Sequence, residues 1–113
     1  MNIRLHQATA NIASNSTWTN IGDPIDVSRY PAISARFYST QAVTARVLQG
    51  SQTAAATYAY DHSSSVASVA AATVGANSIL DTVGAEYAQM QIYNASGTAS
   101  NVRATLNGLQ EGI

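Results

Sequence analysis

The stretch EYAQMQIYN, residues 86–94, decides how this chain is read. In it Ala88, Met90 and Ile92 alternate with Tyr87, Gln89, Gln91 and Tyr93, so every second side chain suits an apolar interior. Successive side chains of a strand point to opposite sides, and one buried face demands this alternation. The same period of two recurs in three other runs. Ile33, Ala35 and Phe37 alternate with Ser34, Arg36 and Tyr38. Val43, Ala45 and Val47 alternate with Thr44, Arg46 and Leu48. Val102, Ala104 and Leu106 alternate with Arg103, Thr105 and Asn107.

Weaker strand patterns cover residues 3–9, 16–20, 25–27, 55–60 and 78–83. Turn signals separate them: Gly22-Asp23-Pro24, Tyr30-Pro31, Gln49-Gly50-Ser51, Asp61-His62-Ser63, Val83-Gly84 and Asn94-Ala95-Ser96-Gly97. Short strands broken by turns every ten residues or so predict an all-β fold, an antiparallel sandwich or barrel. Residues 63–76 (SSSVASVAAATVGA) carry both a helical spacing, at Val66, Val69, Thr73 and Val74, and a period-two pattern of small residues. We read this segment as strand, because Thr73-Val74-Gly75 resembles a strand end more than a capped helix. No linker interrupts the pattern, so residues 1–113 are expected to form one β-sandwich domain, with an N-terminal strand or arm over about residues 1–14.

Composition narrows the function. Only 10% of the 113 residues are charged, against roughly 25% in ordinary soluble domains, while 46% are hydrophobic. A core can form, but the surface has little charge to keep copies apart, which points to a surface covered in the working state. All five basic residues are arginines, Arg4, Arg29, Arg36, Arg46 and Arg103, and they are scattered. No basic run offers the electrostatic footprint of a nucleic-acid backbone. Arginine without lysine fits codon bias, and it also fits lasting interfaces, where a weakly hydrated planar cation is favoured. There is no cysteine, hence neither disulfides nor thiolate chemistry. The opening MNIRLH has no apolar signal-peptide core, and no apolar run reaches membrane-spanning length. Synthesis in the cytoplasm, with no membrane and no nucleic-acid partner, is expected.

The chemistry-bearing residues are few. Asp61-His62-Ser63 holds the residue types of a hydrolase triad, but neighbours on an extended chain point apart, and a triad needs convergence in space. The segment reads as a polar turn. Asp23 and Asp26 bracket Pro24-Ile25 and fit a turn at a strand entrance better than a calcium loop, which needs six to eight oxygens. Asp81 and Glu86 are five positions apart, ordinary spacing for two carboxylates. No phosphate loop, zinc spacing or nucleophile elbow occurs. The expectation is a non-enzyme with no cofactor and no metal.

Aromatic residues are spread through the strands, and Tyr38, Tyr87 and Tyr93 alternate with the apolar positions. Three readings stand open for them: stacking on sugars, anchoring a protein interface, or simple preference of aromatics for pleated surfaces. Arg36, Arg46 and Arg103 share the outward register, so these three arginines and three tyrosines are the candidate protein-interface residues. Asn15-Ser16-Thr17 and Asn94-Ala95-Ser96 match the glycosylation pattern and are read as chance matches.

Two stretches carry a family resemblance. Residues 18–38, WTNIGDPIDVSRYPAISARFY, resemble the opening of small β-sandwich proteins of tailed-bacteriophage virions, in which a tryptophan strand and an I-D-V-S-x-Y-P connection lead into an alternating strand. Residues 84–109, GAEYAQMQIYNASGTASNVRATLNGL, resemble their closing hairpin. The resemblance runs from Ser16 to Leu109. The missing lysines and the Ala/Ser-rich stretch 63–76 depart from it. It implies a jelly-roll-like sandwich of about eight short strands, acting as a decoration (cement) protein on the outer surface of a phage head. It also implies the major capsid protein as partner, a homotrimer closing around a local symmetry axis, and the virion surface as location. Many weak contacts held together would stabilise such a shell by avidity. Two alternatives remain: another virion part of neck, tail or fibre, or a carbohydrate-binding module with a glycan partner.

Overall fold

A computed structural model of the chain describes residues 2–15, 17–50, 62–63, 67–71, 78–81 and 87–109. Along these residues the alternating runs become strands. They are β1 (Asn2–Ile12), β2 (Trp18–Asp26), β3 (Ala32–Ser39), β4 (Val43–Gly50), β5 (His62–Ser63), β6 (Ala67–Val69), β7 (Ser78–Asp81), β8 (Tyr87–Tyr93) and β9 (Ser100–Leu109). The described residues contain no helix.

Two antiparallel sheets result. The first is ordered β1-β9-β3 with short β7 beyond β3, and the second β2-β8-β4 with short β5 and β6 both on β4. Each sheet thus rests on three long strands, and the arrangement fits a β-sandwich. In place of about eight short strands, six long ones form the two sheets, and segments of two, three and four residues edge them. The chain pairs from its ends inward: β1 with β9, β2 with β8, β3 with β7, and β4 with β5 and β6.

The inner layer is the apolar half of each alternation. Ile33, Ala35 and Phe37 of β3 and Val102, Ala104 and Leu106 of β9 face Val43, Ala45 and Val47 of β4 and Ala88, Met90 and Ile92 of β8. All are at most 5% exposed. Truncating one such side chain as large as Ile92 to alanine costs about 2–5 kcal/mol, because the rigid surroundings leave a cavity.

Three expected breaks turn out otherwise. Gly22-Asp23-Pro24 does not separate two strands; it is a bulge inside β2, where the register with β8 shifts between Ile21 and Ile25. Pro24 is tolerated because β2 is an edge strand. Gly22 supplies the left-handed backbone, at φ 75°. The buried Gln89 amide opposite the bulge donates to the carbonyls of Ile21, Gly22 and Met90 at 3.2, 3.2 and 3.0 Å. Gly50 likewise continues β4 and pairs with Tyr87 instead of starting a turn. His62–Ser63, read as part of a polar turn, pairs as a strand with Gln49 and Leu48. In the ambiguous segment Ala67–Val69 is strand, paired with Ala45–Val43. Residues 55–60, 64–66, 72–76 and 82–83 lie outside the described residues.

Just before the turn signal Tyr30-Pro31 the chain turns over residues 27–30, where the Tyr30 N–H donates to Val27 O at 3.1 Å. Asp26 Oδ1 accepts hydrogen bonds from Ser28 Oγ at 2.7 Å and from Ser28 N–H at 2.9 Å, an Asx turn that starts the loop into β3. Tyr30 then lies on the β9 backbone, so close that a Cβ on Gly108 would meet its ring at 2.6 Å.

Candidate functional site

The pleat that buries the apolar residues sends the candidate interface residues outward, and the two sheets send them in opposite directions. Tyr38, Arg103 and Thr9 form one cross-strand row on the outer face of the first sheet, and Arg36, Thr105 and Gln7 form the next. The Arg103 guanidinium sits over the Tyr38 ring, 5.4 Å from its centroid. Beside this pair is an open depression of about 500 Å³, lined in part by Thr9, Asn11, Tyr38, Asn101 and Arg103. Two of its lining residues are bonded to each other, Asn11 Nδ2 donating to Asn101 Oδ1 at 2.8 Å.

On the outer face of the second sheet, Trp18, Tyr93 and Thr44 form one row, and Asn20, Gln91 and Arg46 the next. Arg46 reaches diagonally across β8, and its guanidinium lies 4.1 Å from the centroid of the Trp18 ring. Its Nε–H donates to Gln91 Oε1 at 2.8 Å, and Gln91 Nε2 donates to Asn20 Oδ1 at 2.7 Å. Trp18 and Tyr93 pack at 5.4 Å with their planes tilted by 56°. Partial burial lowers the Arg46 pKa from its ordinary value, since desolvation disfavours the charged form.

The six expected residues therefore do not make one site. Arg36, Tyr38 and Arg103 share one face, Arg46 and Tyr93 share the other, and Tyr87 lies at the far end of β8, roughly 20 Å along the strand from Tyr93. Trp18, Gln91 and Asn20 join Arg46, although the sequence reading placed none of them there. The shared outward register of Gln91 and Arg46 was visible in their alternation. Trp18 was not, because it lies in the short pattern 16–20, and only the pairing of β2 with β8 puts it beside them.

Among the described residues no group of three or more His, Asp or Glu side chains could hold a metal ion. Asp26 is engaged with Ser28, and His6 accepts from the Asp23 backbone N–H at 3.3 Å. Asp61 lies outside the described residues. Asn94 is fully buried, and its amide donates to Ile12 O at 2.9 Å and Thr98 O at 3.0 Å, so it is inaccessible as a glycan acceptor. Among the described residues no helix is long and apolar enough to cross a membrane.

No family model matches the sequence, and neither does any curated protein. Among solved structures the fold is similar to a chain described with the words "Bacillus endospore appendages form a novel family of disulfide-linked pili", with a TM-score of 0.48 and 13% identity over 97% of this chain and 89% of that one. A likeness at this level carries no functional argument.

Proposed function

We propose that this protein is a structural virion component, a decoration protein that binds the outer surface of a phage head and stabilises it through protein–protein contacts. The observation that carries the reading is the pair of arginine–aromatic contacts, Arg103 on Tyr38 and Arg46 on Trp18, on opposite outer faces of one sandwich. Tyr, Trp and Arg are the side chains that anchor protein interfaces. Two such faces suit a part that meets the shell on one side and neighbouring subunits on the other. The end-to-end nesting of strand pairs supports the finer reading of the sandwich as a jelly roll. A homotrimer around a local axis would use heterologous contacts that close into a ring.

Quantitative mass spectrometry of purified particles tests the reading. Copies in the hundreds per particle are expected, and absence from the particle overturns it. A copy number of about six or twelve assigns the protein instead to a neck, tail or fibre ring.

A further inference from the structure

Arg46 differs from an ordinary surface arginine in being fixed from two sides. Gln91 takes its Nε–H at 2.8 Å, and the Trp18 ring lies under its guanidinium plane at 4.1 Å. Gln91 is itself immobilised: it is 8% exposed, and Asn20 takes its other end at 2.7 Å. With Nε occupied, the guanidinium has only its terminal edge, Nη1 and Nη2, left for bonding. Those two nitrogens have no hydrogen-bond or ion-pair partner among the described residues. A planar fork of parallel N–H donors matches the two oxygens of a carboxylate. Holding it in place beforehand removes the side-chain entropy that such a contact normally costs.

The surroundings choose between occupants. A sugar would need a free aromatic face, but Arg46 covers one face of Trp18 and Tyr93 packs against the same ring at 5.4 Å. The exposed edges of Trp18 and Tyr93 instead offer apolar surface beside a cation that has no acidic partner among the described residues. That combination fits an acidic side chain with its hydrocarbon stem.

We propose that the Arg46–Trp18–Gln91 platform is an anchor for a single Asp or Glu side chain on the surface of a partner protein. The carboxylate meets the Nη1/Nη2 edge of Arg46 end-on, and its stem packs against Trp18 and Tyr93. This rests on reading the chain as a protein-binding module, and it names the chemistry of one of the two faces. The particle census above does not depend on it: copies in the hundreds with no carboxylate binding here would leave that reading standing and refute only this anchor.

Trp18 is the only tryptophan in the chain, so its fluorescence reports on the platform directly. The whole chain is titrated with acetyl-Gly-Glu-Gly-amide and, separately, with acetyl-Gly-Gln-Gly-amide. The Glu peptide is expected to change Trp18 emission saturably with a Kd of order 1–10 mM, and the Gln peptide to bind at least about tenfold more weakly. Arg46→Lys, which keeps the charge and loses the fork, is expected to weaken the Glu peptide about tenfold, and Arg46→Gln to abolish its effect. Equal responses to the two peptides overturn the proposal, as does saturation by inorganic phosphate at the same concentration. A saturable response to maltotriose or N-acetylglucosamine with none to the Glu peptide makes the platform a sugar site and also overturns it. If sedimentation velocity shows a dimer that Arg46→Gln abolishes, the occupant is a second copy of this chain, and the partner assignment is wrong. Should Arg46→Gln fail to fold, the Glu-against-Gln comparison on the unaltered chain decides by itself.

Discussion

The imidazole of His6 lies directly on the backbone of Gly22. His6 Nε2 accepts the Asp23 N–H at 3.3 Å, and a Cβ added to Gly22 would stand 2.5 Å from that same nitrogen. Each residue belongs to an irregularity, since β1 shifts register between Arg4 and His6 and β2 between Ile21 and Ile25. The contact therefore ties an irregular point of one sheet to the bulge of the other. Gly22→Ala is expected to destabilise the fold by about 1–3 kcal/mol, from a left-handed backbone that alanine disfavours plus displacement of His6. Chemical denaturation measures it. In a double-mutant cycle, His6→Ala should recover the steric part and leave the backbone part. Full additivity would show that the two residues do not interact.

Asp26 makes stability depend on acid. The Ser28 hydroxyl, and after it the Ser28 backbone N–H, hold the carboxyl below its ordinary pKa of 3.8; Arg29 adds a smaller effect. A carboxyl whose folded pKa is depressed binds protons more readily when unfolded. Its stabilisation is therefore complete well above pH 3.8 and is lost as the pH falls through the lower folded value. Asp26→Asn keeps an acceptor in the turn and removes the titration. Melting temperatures of the two proteins should differ at pH 7 and converge as the pH falls below the ordinary value of 3.8. A gap independent of pH would refute this account.

Gln49 is 1% exposed, and among the described residues neither its Nε2 nor its Oε1 has a hydrogen-bond partner. An unpaired buried amide is destabilising by roughly 1–3 kcal/mol relative to a satisfied one. Gln49→Met, of similar length and without polar atoms, is expected to leave stability unchanged or raise it by about 1 kcal/mol, read as a shift in the denaturation midpoint. A loss above about 1 kcal/mol would show that the amide is engaged.

The two outer faces should separate in a binding assay. Arg36→Ala with Arg103→Ala alters only the first face, and Arg46→Gln only the second. The arginine–aromatic contacts of Arg103 and Arg46 contribute about 0.5–2 kcal/mol each, from exposed to partly desolvated sites, and circular dichroism of each variant checks that it folds. On the proposed function and the carboxylate anchor, Arg46→Gln should weaken attachment to heads in a co-sedimentation assay. The first-face set should change only self-association. Equal loss from both sets would contradict a division of labour between the faces.

Much of the architecture follows from local rules. Val102, Ala104 and Leu106 alternate with Arg103, Thr105 and Asn107 whatever β9 pairs with, because the pleat is a property of one strand. For that reason the all-β class, the inner layer and the outward register of Arg46 and Tyr93 could be taken from the order of residues. The bulge at Gly22-Asp23-Pro24 could not, since Gly, Asp and Pro equally signal a turn. What kept β2 continuous was its pairing with β8 on both sides of the bulge and an amide at Gln89, 67 positions away from Gly22.

Residue order therefore determined that this chain builds two-faced strands with arginine and tyrosine turned away from the core. Only the tertiary structure decided that those residues divide between two opposite surfaces, and that Trp18 and Gln91 lock Arg46 in place. Alternation assigns each side chain to the inside or outside of its own strand. Which outside it shares, and with whom, depends on pairing between β2, β8 and β4, strands that lie far apart along the chain.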